Sequence, residues 1–547
     1  MTTTKSTMHY PFWKLTEKGG VTLSISKLVK FLAKKGFGNF QTVEGRTQGK
    51  TLFFNNDGVL ELHEPDSVKG WLTGYIESCK TTNDIEKEDV QDKIVKIAPS
   101  TLNNYLQALP IFSEEEFNDT IKLDIFRDDK ENCYIPFKNG VVHISSNDIK
   151  LIPIENLTEK GNIWESSIIR KKIEILDQYM VTQSNYFRDF VTYALKKDIL
   201  PVKGKNDIKL GTDNDRFNET LEAFETGFGF LIHSYQPSDE QKVVVFIDVE
   251  SSPDRTEGRN GKSLCMEQLK NYRNTAFVNG KQFRKSMSDS SRFNFSSVKV
   301  DTGFVFINDL NPDFDLTTMF SDITDDMTIE GKGTNKLVIP KEKKPKMGIT
   351  TNYIITGVGS SFEERQHIVE FGNFWNKASK FGIKPKTILG KKIGDDFDEN
   401  DWIKYYNYGF QCIQKYLMKG LSKQNLANYN KKNLIASIEG INGNGQIVDW
   451  MEDWISTTRL EGNYQIDGIS IDKLYTQFQR DNILESTTQG WDKFKLLDGF
   501  FDFIKTKQEY DWNPHKSDKG STRASRRWRV GPKGEQVDYV KITSVND

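Results

Sequence analysis

"KVVVFIDVESSPDRTEGRNGKSLCMEQLKNY", residues 242–272, decides how the rest of the chain is read. Val243, Val244, Val245, Phe246 and Ile247 make an unbroken apolar run, which suits a central strand of a parallel sheet buried on both faces. A polar loop follows, and "LCMEQLKNY" resumes as a helix. Strand, loop and helix in that order are what a phosphate-binding loop requires, because backbone N–H groups must converge on the anion where the strand stops. Gly258 and Gly261 supply backbone freedom, and Gly258, Arg259, Asn260, Gly261, Lys262 and Ser263 are the candidate ATP contacts. Lys262 would reach the β- and γ-phosphates, and the Ser263 hydroxyl would ligate Mg²⁺. The full pattern places a glycine five residues before Gly261, where this chain has Thr256. Taken alone, the tripeptide also fits a surface turn.

Two downstream stretches weigh against the turn. "TGFVFINDL" is a second apolar strand, ending in Asn308 and Asp309. A carboxylate at the tip of a neighbouring strand can associate with Mg²⁺ and polarise the attacking water. "KMGITTN" is a third, ending in Thr350, Thr351 and Asn352, whose amide can orient water against the γ-phosphate. The catalytic set expected from these stretches is Lys262, Asn308, Asp309 and Asn352, with Ser263 and Asp309 as the Mg²⁺ residues.

The order GRNGKS, FINDL, KPKMGITTN resembles the superfamily 3 helicases, and most closely the helicase module of phage, plasmid and large-DNA-virus primase–helicase proteins. Lys346 and Asn352 match the start and end of that family's third motif. The likeness is most specific between about 240 and 375, and extends more loosely to "YIPFKNGVV" upstream. It implies an α/β protein with a central P-loop (AAA+-like) ATPase domain on a parallel sheet. Small α+β domains would precede it and a helical, winged-helix-like region would follow. It also implies ATP and Mg²⁺ as cofactors, a homo-hexameric ring, single-stranded DNA as partner, a possible primase or origin-binding partner, and 3′-to-5′ movement. Relatives often carry two acids in the second motif. Here Asn308 precedes Asp309, which leaves Asp309 as the sole expected Mg²⁺-associated carboxylate and the general base open.

The resemblance places a DNA-contacting hairpin between the second and third motifs, in "TIEGKGTNKLVIPKEKKPKMGI". "NKLVIP" and "KMGITT" are expected to pair as antiparallel strands around "KEKKP", gathering Lys332, Lys336, Lys341, Lys343 and Lys344. Lysine suits a phosphate grip that does not read bases, although an ordinary solvated turn accounts for the same charges. Arg365, in "SSFEERQHIVEF", stands where the family places an arginine finger for the neighbouring subunit; pairing with Glu363, Glu364 or Glu370 is the simpler alternative. The C-terminal "RRWRVGPKG" adds Arg526, Arg527 and Arg529 around Trp528, fitting either a DNA-contacting wing or a plain hairpin.

The wider composition bounds these readings. At 547 residues the chain exceeds one core. The expected division is 1–90, a small α+β domain; 91–215, an α+β domain; 216–380, the ATPase domain; and 381–547, the helical and winged-helix-like region. A formal net charge of −2 confines any nucleic-acid surface to local patches. Cys79, Cys133, Cys265 and Cys412 lie far apart, which fits a reducing compartment and argues against a disulfide framework or zinc site. No run nears the roughly 20 apolar residues of a membrane span, no signal peptide is visible, and the expected location is cytoplasmic, that of a host cell for a viral chain. Asp57, Glu61 and Glu64, in "NNDGVLELHEPD", are the nearest upstream candidates for a priming site, and they read better as turn and strand-edge residues. A combined primase–helicase and an origin-binding scaffold with a degenerate ATPase are the alternatives.

Overall fold

Five strands with buried, mostly apolar runs lie side by side in one parallel sheet. They are β1 (Val243–Asp248), β2 (Thr275–Asn279), β3 (Phe304–Asn308), β4 (Lys346–Thr350) and β5 (Gln366–Phe371), in the order β2-β3-β4-β1-β5. In the computed structural model the described residues are 12–18, 20–43, 49–79, 84–196, 214–248, 258–283, 293–311, 314, 316–331, 336–357, 360–440, 443–460, 465–481, 491–507, 510–512 and 539–544. Every residue of β1, β4 and β5 is buried, as befits strands covered on both faces. The two-residue alternation of a strand sorts their side chains. Val244, Phe246, Phe304, Phe306, Val369 and Phe371 face one cluster. Val243, Val245, Ile247, Val305, Ile307 and Ile349 face the other.

Helices cover the first face. They are α1 (Tyr186–Leu195), α2 (Asn214–Ile232), α3 (Lys262–Glu267), α4 (Phe374–Lys380) and α5 (Glu399–Lys419). α5 has a buried apolar face and a capping box in which Asp398 and Asp401 satisfy each other's backbone N–H. It lies against α2 so closely that a Cβ on Gly229 would sit 2.2 Å from the Cys412 carbonyl oxygen. The face of the parallel sheet therefore draws on residues beyond 381.

Upstream, a six-stranded sheet takes Phe37–Phe40, Thr51–Asn56 and Val59–Leu62 together with Ile111–Ser113, Ile121–Lys122 and Ile163–Trp164, so its strands come from both sides of residue 90. The expected Asn56-Asp57-Gly58 turn is present, with Asp57 and Gly58 at positive φ as a tight hairpin demands. "CYIPFKNGVVHISSNDIKLIPI" forms three antiparallel strands, Asn132–Phe137, Gly140–Ser145 and Ile149–Ile152. Ile135, Phe137 and Val142 join the cluster under the parallel sheet.

The expected pairing of "NKLVIP" with "KMGITT" does not form. Leu337–Ile339 pairs antiparallel with Met327–Ile329. The reason is that β4 already has β3 on one edge and β1 on the other, so neither edge is open to a further strand. Beyond residue 440 the order is helix Gln446–Leu460, strand Gln465–Ser470, helices Ile471–Asp481 and Lys493–Lys505, and strands Tyr510–Trp512 and Tyr539–Ser544. The last strand lies between the other two, antiparallel to both. Among the described residues, no helix is long and apolar enough to cross a membrane.

Candidate functional site

The parallel sheet brings the three polar strand ends to one place. β4 lies between β1 and β3, and Asn308 at the end of β3 is in register with Thr350 at the end of β4. The loop after β1 returns to α3 through Gly261, at φ 96°. A side chain there would be strained, and its Cβ would stand 2.8 Å from the Phe190 ring. Arg259 is also at positive φ, 73°. Together these residues wall a cavity of about 540 Å³, closed on its apolar side by Phe190, Trp375, Ile383 and Pro385. Phe190 and Trp375 stack at 5.0 Å, so helices α1 and α4 meet beneath the loop.

Lys262 is 6% exposed, and its Nζ lies 2.5 Å from Asp248 Oδ1 and 2.8 Å from Asn352 Oδ1. Burial pushes the ammonium below its ordinary pKa, while Asp248 and then Asp309 pull it back up. Asn260 Nδ2 donates to the same Asp248 oxygen at 2.8 Å. Ser263 Oγ and Thr350 Oγ1 both donate to Asn308 Oδ1, each at 2.8 Å. Asn308 is thus a neutral acceptor that ties α3 to the ends of β3 and β4. Asp309 turns away from the strand at φ 62°, held by its N–H to the Thr350 carbonyl at 3.0 Å. Its carboxylate pairs with Lys281 at 3.0 Å. The expected Lys262, Ser263, Asn308, Asp309 and Asn352 therefore line one cavity. Sequence reading missed Asp248, Lys281, Phe190 and Trp375. An acid closing an otherwise apolar strand was the visible signal for the first; the others become neighbours only through the fold.

Other expected site residues fall elsewhere. Arg365 precedes β5, and its carbonyl accepts the Val243 N–H at the start of β1. It is therefore at the sheet end opposite the loop around Gly261, about 17 Å away along a strand of this length. Its guanidinium lies over Phe320 at 4.5 Å and donates to the Ser361 carbonyl at 2.8 Å. Glu370, one alternative partner, pairs with Arg216 at 2.6 Å.

The lysine cluster is corrected in part. Lys344 is buried, and its Nζ donates to the carbonyls of Asp322, Ile323 and Asp325 at 2.9, 2.7 and 2.8 Å. Burial lowers its pKa to about 8. Lys343 is mostly covered and pairs with Glu115 at 2.7 Å in the upstream sheet region. Lys346 is buried and donates to the Phe230 carbonyl at 2.9 Å. Lys336 is exposed at the start of Leu337–Ile339, and its carbonyl accepts the Gly49 N–H. Lys341 is half exposed beside Glu342. Of the expected DNA contacts, Lys332, Arg526, Arg527 and Arg529 lie outside the described residues. Asp57 sits in its hairpin turn, Glu61 faces His63 at 3.7 Å and Glu64 precedes a helix at its N-cap position.

No protein-family model matches the chain, and no curated protein matches it. Among solved structures it is similar to two of the C-terminal region of NrS-1 in an apo A form. Identities are 12% and 13%, each match covers 94% of this chain and 98% of that chain, and the TM-score is 0.37 in both. At that level of likeness the site must be read from its own geometry.

Proposed function

We propose that the protein is an ATP-dependent DNA helicase acting in the replication of a phage or mobile element, moving on single-stranded DNA as a homo-oligomeric ring. The observation that carries this reading is the convergence of Gly261-Lys262-Ser263, Asn308-Asp309 and Asn352 from three adjacent parallel strands on one cavity. Lys262 meets the β- and γ-phosphates. Ser263 and Asp309 offer hydroxyl and carboxylate oxygens to that same cavity. This donor set suits a hard cation that keeps most of its ligands from phosphate and water, and Mg²⁺ held there supplies charge neutralisation to the phosphates. Asn352 orients the attacking water through its amide. Asn308 carries no charge, so it positions Ser263 and Thr350 and leaves proton acceptance to Asp309. The apolar side of the cavity takes the base.

DNA-stimulated phosphate release and unwinding of a tailed duplex test the reading. Both are expected from the wild type and neither from Lys262→Ala. A folded wild-type protein that binds ATP without DNA-stimulated release would favour the scaffold alternative.

A further inference from the structure

We propose that Asp248 is a positioning residue that holds the phosphate-loop lysine as a built-in counter-ion, so that the incoming nucleotide must compete with a carboxylate of the protein. The inference rests on the nucleotide reading of the same cavity. Asp248 closes β1, is 5% exposed and is not among the residues that line the cavity. It stands behind Lys262, which does line it. The 2.5 Å contact and the Asn260 bond both fall on one oxygen, Oδ1. Lys262 therefore meets a phosphate group with its charge already matched. If the ammonium swings fully onto the phosphates, a buried carboxylate gives up its 2.5 Å contact with this cation, which is costly in low dielectric. If it does not, the polyanion must approach a buried negative group close to its own charges. Either way the site binds nucleotide less tightly than the same lysine would without Asp248, and release of product is eased by the returning carboxylate.

Asp248→Asn removes the charge while keeping an acceptor at Oδ1 for Lys262 and Asn260; Asp248→Ser removes the charge with a different shape. Titration with a fluorescent ATP analogue is expected to show tighter binding by about tenfold in both variants. KM for ATP should fall while kcat does not rise. Without nucleotide both variants should melt at lower temperature, since Lys262 has lost its counter-charge and keeps only neutral partners such as Asn352, and ATP should raise their melting temperature more than it raises that of the wild type. In a Lys262→Ala background, adding Asp248→Asn should bring no gain, because the effect passes through the lysine. Unchanged or weaker binding in both neutral variants, a gain that persists without Lys262, or failure of both variants to fold would overturn the proposal. A wild-type protein that binds no ATP would overturn the nucleotide reading itself, whereas wild-type binding without the gain removes only the role of Asp248.

Discussion

Two neighbouring side chains at the end of β3 divide the work of the candidate site between them. Asn308 takes two hydroxyl donors on one oxygen, while Asp309, rotated by its positive φ, presents a carboxylate toward Lys281 and the cavity. Asp309→Asn should therefore leave nucleotide affinity within a few-fold of wild type and remove Mg²⁺-dependent hydrolysis, losing on the order of 10²-fold or more in kcat. Equal hydrolysis with and without the carboxylate, read in a phosphate-release assay, would place the metal elsewhere. Lys262→Ala should abolish hydrolysis outright, and near-normal turnover in the folded variant would end the phosphate-loop assignment. Asn308 and Asn352 were legible in the sequence because each closes or follows an apolar run, and Lys262 because Gly261-Lys262-Ser263 sits where a polar loop gives way to a helix. Asp248 was not, because its pairing with Lys262 depends on the intervening chain folding back.

Segment 327–350 shows where sequence patterning stops. Five lysines between 336 and 346 read as one basic hairpin, yet the fold sends them to different environments. The apolar stretch of β4 gave its burial correctly, but nothing local says that both its edges are taken by β1 and β3, and that fact redirects Leu337–Ile339 to Met327–Ile329. Lys344 then serves as a donor to the last carbonyls of the short helix Phe320–Thr324. Lys344→Ala should destabilise the fold by about 2–3 kcal/mol, leaving buried carbonyls without their donor, and leave the salt dependence of single-strand binding unchanged. Lys336→Ala and Lys341→Ala, at exposed positions, should each reduce that salt slope by roughly 0.7. Binding titrations over a salt series, with chemical denaturation alongside, separate the two groups. The converse pattern would restore Lys344 to the DNA path.

β5 carries its own pH dependence. His367 is fully buried, and its Nε2 bonds to the Ala223 carbonyl on α2 at 2.8 Å. Burial lowers its pKa from 6.5 to about 4. The folded state therefore binds fewer protons than the unfolded one between those values, and stability rises with pH across that window. The contribution is fully present above pH 6.5 and is lost as pH falls through about 4. The gap corresponds to roughly 3 kcal/mol. His233, also held near 4 by burial, acts in the same direction. His367→Gln should flatten the acid limb of a denaturation series between pH 6.5 and 4 relative to wild type; an unchanged limb would mean that the imidazole is not buried neutral.

At the scale of the whole molecule, the parallel sheet has two ends with different tasks. The cavity occupies the end where β1, β3 and β4 finish, and Arg365 emerges at the end where β1 and β5 begin. A guanidinium at that end cannot serve the site of its own chain across a strand of about 17 Å. If it stabilises charge on a transferring phosphoryl group, the site it serves belongs to the next subunit, and head-to-tail interfaces of that kind close into rings. Its hold on Phe320 and Ser361 keeps the side chain ordered without committing it to an acid. Arg365→Ala alone should then lose hydrolysis as severely as Lys262→Ala while still binding ATP. Mixing the two defective proteins should restore activity, because an Arg365→Ala subunit keeps an intact Lys262 and can be followed by a Lys262→Ala subunit that supplies Arg365. At equal amounts and random assembly, roughly a quarter of the interfaces combine both intact groups. Phosphate release measured across mixing ratios should rise from the two pure proteins to a maximum near equal proportions. A flat profile, with assembly verified by sedimentation, would confine Arg365 to its contact with Phe320 and Ser361 and require another cation at the subunit interface.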